Sequence, residues 1–142
     1  NVEPLMPLRG GFLCRTGHPL LTRTRIDAAL LCQYPVASMP LSDELARNLV
    51  ADLGPEAHPS RMVTISCEDI ASLLDTVEAT DAIFFGIFAS ARERIAAGRL
   101  QEIRVEPHVE RVGKYALVSL ARRSESPALA FFREFVRVNL HE

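Results

Sequence analysis

A chain of 142 residues with 48% hydrophobic and 24% charged side chains has the balance of a globular protein with a real core, as one domain or two small lobes sharing a cleft. Its net charge is −2 and Lys114 is its only lysine, so it lacks the clustered basic face that phosphate neutralisation requires and is not expected to touch DNA itself. No apolar run approaches the ~18 residues of a membrane helix, and the opening Asn-Val-Glu-Pro carries no export signal. The absence of an initiator Met leads us to expect a segment of a longer protein. Cys14, Cys32 and Cys67 form no C-x-x-C pair, as expected of free thiols in a reducing cytoplasm.

In chain order, residues 11–15 (Gly-Phe-Leu-Cys-Arg) read as a short buried strand, followed by a loop broken at Pro19. Residues 26–31 make a short helical turn with Asp27 near its start. Pro35 then forces extension, and residues 36–39 read as a second strand ending at Pro40. Ser42 is an N-cap followed by Asp43 and Glu44, where the helix dipole favours acids. Leu45, Leu49, Val50 and Leu53 form that helix's apolar face, and Gly54-Pro55 stops it.

Residues 62–65 are β-rich, and Ser66-x-x-Asp69 resembles a capping box leading into Ile70, Leu73, Leu74 and Val77 at helical spacing. The unbroken apolar run 82–88 fits a strand covered on both faces. Residues 90–97 suggest a short helix closed by Gly98, and Leu100, Ile103 and Val105 another strand. This alternation of strands and helices predicts an α/β fold with a parallel or mixed sheet.

Residues 112–121 predict a longer strand, ending at an Arg122-Arg123 pair expected to be solvated. Ser126-Pro127 then opens a final helix with Pro at its first position. Leu129, Phe132, Val136 and Leu140 form one apolar stripe on it, and Phe131, Phe135 and Val138 a second. Apolar on two faces, such a helix needs a partner on both, which predicts self-association as a dimer.

Chemistry is sparsely marked. His18, His58, His108 and His141 have no metal-ligand spacing, and neither Ser66 nor Cys67 sits in a nucleophile elbow such as G-x-S-x-G. No catalytic residue, metal or cofactor is expected.

Several short stretches, taken together in order, resemble the effector-binding domain of LysR-type transcription regulators. Gly17-His18-Pro19-Leu20 is similar to that family's HPL turn after a strand, and Gln33-Tyr34-Pro35-Val36 to its entrance into the second lobe. Ser66-Cys67-Glu68-Asp69-Ile70 with Leu74-x-x-Val77 resembles the helix preceding its glycine-rich strand. Gly98-Arg99-Leu100 and Arg122 through Ala128 resemble the last pieces. The sequence departs from the family at Thr80-Asp81-Ala82-Ile83-Phe84-Phe85-Gly86, where two glycines and a final proline are usual.

The resemblance implies a type 2 periplasmic-binding-protein-like fold, with one nearly complete lobe bearing a mixed sheet and the remaining part of a second. Lobe two would span residues 36–106, and residues 1–35 and 107–142 would belong to lobe one. It further implies a small-molecule inducer, an organic acid or amino-acid-like anion, held by Ser38, Met39, Ser42, Ser66, Phe84, Phe85 and Gly86. Helix N-termini attract carboxylates, and ligands of open α/β sheets sit at strand carboxyl ends. DNA would be contacted only through an N-terminal domain without counterpart here, and no membrane would be involved. A stand-alone solute-binding protein or small α/β enzyme is the alternative.

Overall fold

The computed structural model describes residues 1–121 and 124–141, so Arg122 and Arg123 lie outside the described residues. Strand β1 (Val2–Pro4) opens the chain and β2 (Leu8–Arg15) follows. A 3-10 turn (Pro19–Thr22) and α1 (Ala28–Leu31) lead to β3 (Val36–Ser38) and α2 (Asp43–Leu53). A second 3-10 turn (Pro55–Ala57) and α3 (Pro59–Met62) precede β4 (Val63–Ser66), α4 (Ile70–Ala79) and β5 (Ile83–Ile87). After a third 3-10 turn (Phe88–Ala91) come α5 (Arg92–Ala96), β6 (Leu100–Ile103), β7 (Arg111–Gly113), β8 (Ala116–Val118) and α6 (Pro127–Asn139).

Two sheets result. The larger has six strands in the order β4-β3-β5-β2-β6, with β7 also paired to β2. β3 runs parallel to both β4 and β5, whereas β2 is antiparallel to β5, β6 and β7, so the sheet is mixed. The smaller sheet is the antiparallel pair β1-β8. Two core layers cover the large sheet. One gathers Phe12, Leu31, Val36, Leu49 and Phe85; the other gathers Leu13, Leu73, Leu74, Val77 and Phe84. Successive strand residues face opposite ways, which is why the neighbours Phe84 and Phe85 fall in different layers.

Local chemistry accounts for most boundaries. Asp27, Ser42 and Ser126 each accept the backbone N–H three residues on, at 2.9, 3.2 and 3.2 Å, satisfying donors that the first helical turn leaves free. The His18 ring is buried: Nδ1 accepts from Leu20 N–H at 3.0 Å and Nε2 faces the Asp81 carbonyl at 2.9 Å. With Nδ1 accepting, Nε2 must carry the proton, which makes this a neutral imidazole. Asp81, one of the positions departing from the family pattern, also binds Arg15 through Nη2 at 2.7 Å and Nε at 3.1 Å. The end of β2 is thereby tied to the start of β5.

Two expectations differ from the structure. The helix after β4 is capped by Asp69, not Ser66: Asp69 accepts from Ala71 N–H at 3.1 Å and from the Ser72 hydroxyl at 2.6 Å, so α4 begins at Ile70. The strand expected over residues 112–121 is two short ones, because the chain leaves the large sheet after Gly113 and joins the small one at Ala116. β2 lies within the large sheet between β5 and β6, and the chain crosses between sheets at residues 5–7 and 114–115. The crossings meet where Leu5 N–H donates to the Tyr115 carbonyl at 2.8 Å. Periodicity reads a strand's faces but not its partners, and the partners of β2 are distant in sequence.

Candidate functional site

A cavity of about 550 Å³ opens at the carboxyl ends of β3 and β5 and beside the crossing after β7. That volume falls in the ordinary range for small-molecule sites, roughly 300–1,000 Å³. α2 contributes Leu45 to its wall, the loop before it Met39 and Leu41, β5 Phe84 and Phe85, and α6's end Leu140. The floor is bare backbone: Gly11 stands opposite Gly86 in the β2–β5 register, with Gly10 beside them. A Cβ on Gly86 would lie 2.5 Å from the Phe84 ring, and one on Gly10 3.0 Å from the Gly86 carbonyl oxygen. The cavity keeps its depth because these positions carry no side chain.

Polar groups in the wall are few and mostly engaged. The buried Ser38 hydroxyl donates to the Met39 carbonyl at 2.9 Å, and the Asn139 amide to the Phe135 carbonyl at 2.8 Å. Arg92 Nη1 lies 3.0 Å from His141 Nδ1 and donates to the His141 carbonyl at 3.2 Å. Arg111 differs. Its side chain is 14% exposed; Nη2 reaches Asp52 only at 3.4 Å and Nη1 reaches the Val109 carbonyl only at 3.4 Å. Its Nε is shut away from water without an acceptor. Burial lowers the guanidinium's pKa from its ordinary value, and the Asp52 carboxylate opposes this in part.

Two other hollows are of similar size, about 570 and 580 Å³, but have charged rims. One is bordered by Asp75, Glu93, Arg94 and Arg99; the other by Arg23, Glu102, Arg104 and Glu106. Among the described residues no group of three or more His, Cys, Asp and Glu could hold a metal ion, and no helix is long and apolar enough to cross a membrane. The cysteines are free. Burial pushes the Cys14 thiol up to about 11, against a smaller opposing effect of Arg15, and the Cys67 thiol donates to the Asp69 carbonyl at 3.4 Å.

Of the residues singled out in the sequence, Ser38, Met39, Phe84, Phe85 and Gly86 line the cavity together. Ser42 does not: its hydroxyl is engaged in capping α2, while its neighbours Leu41 and Leu45 reach the wall. Ser66 is exposed at the end of β4, aligned with Ser38 in the β3–β4 pair but outside the cavity. Sequence reasoning missed Gly10, Gly11, Arg111, Tyr115 and His141. The paired glycines at 10 and 11 were the available signal, since two glycines inside a strand mark a close approach of backbone to something else.

The family profile of the LysR substrate binding domain matches residues 1–140. The "SDS degradation transcriptional activation protein" of Pseudomonas sp. (strain ATCC 19151) is 33% identical over 139 residues, covering 96% of this chain and 44% of that protein. The effector domain of the regulator AmpR of Pseudomonas aeruginosa superposes with a TM-score of 0.67 at 16% identity, covering 97% of this chain and 64% of that one. The effector-binding domain of QuiR, solved in complex with shikimate, gives 0.60 at 21% identity, covering 97% and 64%. The chain thus spans less than half of its curated relative and about two thirds of these effector domains, whose type 2 periplasmic-binding-protein-like architecture it shares. It belongs to the LysR substrate-binding domain family.

Proposed function

We propose that this chain is the sensing part of a LysR-type DNA-binding transcription regulator, and that the apolar cavity is its inducer site. The inducer is a small organic anion, an organic acid or amino-acid-like molecule, and transcription is controlled through a separate helix-turn-helix domain. The chain carries out no chemistry, works in the cytoplasm, and self-associates through the exposed face of α6. One observation carries this reading. The cavity lies at the carboxyl ends of β3 and β5, where open α/β sheets receive ligands, and its wall includes the segment that crosses between sheets. A ligand there touches the large sheet, the crossing at Tyr115 and the end of α6, so its binding can bias how the small sheet and α6 sit on the large one.

The effector-binding residues of this reading are Ser38, Met39, Phe84, Phe85 and Gly86, joined by Arg111 from β7 and Tyr115 from the crossing. Ser42 and Ser66 support the wall from behind as the cap of α2 and the end of β4. QuiR's complex with shikimate and the Pseudomonas relative's connection with SDS, an alkyl sulfate, both fit an anionic effector.

The test is a calorimetric screen of organic acids and amino acids against the wild-type chain and Leu45→Trp, which fills the cavity from α2. Binding by the wild type and its loss in Leu45→Trp are expected. A panel without a binder, or a binder indifferent to Leu45→Trp, contradicts the reading.

A further inference from the structure

The wall that Leu8, Met39, Leu41, Leu45, Phe84 and Leu140 form is hydrocarbon. Apolar walls select by buried area, and each added methylene tightens binding about fourfold where it stays buried. A short polar acid would leave most of this wall wet. Two arginines line the cavity: Arg92, exposed, sets its Nη1 on His141, whereas Arg111, at the start of β7, is largely enclosed and has a buried Nε without an acceptor. Arg111 has five N–H donors, two of which make contacts at 3.4 Å while Nε has none. A buried polar group left without a partner calls for an explanation such as an absent ion, and Asp52 at 3.4 Å is too distant for a strong charge-assisted bond, normally about 2.7–2.9 Å.

We infer that the cavity takes an amphiphilic organic anion, an alkyl chain ending in a carboxylate or sulfate, with the headgroup on Arg111 and the chain along the hydrocarbon wall. This rests on the reading of the cavity as the inducer site and names its ligand class. The headgroup competes with Asp52, in the last turn of α2, for the guanidinium. Because Arg111 opens β7, two residues before the chain leaves the large sheet, the headgroup is held where a shift of the small sheet begins.

Calorimetry on this chain with decanoate, decyl sulfate, 1-decanol and butyrate, each below its micellar concentration, tests the assignment. Decanoate or decyl sulfate should bind, and whichever binds tighter identifies the headgroup. 1-Decanol should be at least about tenfold weaker for lack of the charge-assisted bonds, and butyrate weaker still. Arg111→Gln should weaken the anions about tenfold to a hundredfold and leave 1-decanol unchanged. Arg111→Lys, which keeps the charge if Gln proves unstable, should bind the anions more tightly than Gln does. Asp52→Asn should tighten the anions by freeing the guanidinium.

Equal binding of decanol and the anions, anion binding indifferent to Arg111→Gln, or weaker anion binding in Asp52→Asn would overturn the assignment. A short dicarboxylate or amino acid that binds more tightly than both decyl anions, and is lost in Leu45→Trp, would overturn the ligand class while leaving the inducer site standing. A cavity that binds neither kind overturns both.

Discussion

Residues 8–105 and the two flanks around them are built on different principles. Every buried side chain among the described residues lies between Leu8 and Val105, whereas residues 1–7 and 106–141 contribute none. In the first region both faces of the large sheet are covered, and Leu13, Val36 and Ile83 are wholly inaccessible. In the second, α6 is held to β1 by charge: Glu3 bridges Arg133 at 3.2 Å and pairs with Arg137, and Arg133 reaches Glu125 at 2.7 Å. Its aromatic side chains are left outward, Phe131 at 73% and Phe135 at 53% exposure. The difference separates what this chain supplies alone from what it presents for cover. The large sheet carries its own core, while the small sheet and α6 present an apolar surface of the kind that marks an interface. The cavity lies on the line between them.

Core truncation should break the comparison most clearly. Leu13→Ala should cost about 2–5 kcal/mol in urea unfolding, from lost transfer energy plus the void it leaves; a cost near zero would mean that β2 is not central. Next comes Gly86→Val, whose added Cβ must displace the Phe84 ring, at about 1–3 kcal/mol. Such a variant should also lose ligand binding, because the floor of the cavity rises. Removing a cap is smaller: Ser42→Ala should cost about 1 kcal/mol and leave the cavity's ligand affinity unchanged, since its hydroxyl serves α2. Smallest in stability should be Phe135→Glu, within about 0.5 kcal/mol for an exposed position. Its effect should appear instead in sedimentation, as weaker self-association than the wild type shows; unaltered association would place the interface elsewhere.

Much of the large sheet was legible because its signals are local. Caps at Asp27, Ser42 and Ser126, stops at Gly54 and Gly98, and the two-faced apolar run ending in Phe85 and Phe88 act within a few residues of themselves. The start of α4 was misplaced because Ser66 and Asp69 are both competent caps. The choice fell to Asp69, which also collects the Ser72 hydroxyl. The position of β2 was illegible for a different reason. Its partners β5 and β6 lie some seventy to ninety residues away, as the Gly10↔Ile87 and Phe12↔Ile103 pairs show, and no local pattern encodes antiparallel insertion between them. In the candidate site, the strand-end residues Ser38 and Met39 were implied by the family resemblance, with which the rule for open α/β sheets agrees. Arg111 was not, because what distinguishes it is the poverty of its contacts, which only the folded chain reveals.

The claim that the hydrocarbon cavity is the ligand site is tested most directly by titrating the isotope-labelled chain with decanoate and following its amide resonances. The account predicts that the largest shifts fall on residues 38–39, 84–86, 111–113 and 115, which line the cavity from three separate parts of the sequence. Shifts concentrated instead on Arg23, Glu102 and Arg104 or on Asp75, Arg94 and Arg99, around the charged hollows, with the cavity residues silent, would contradict it.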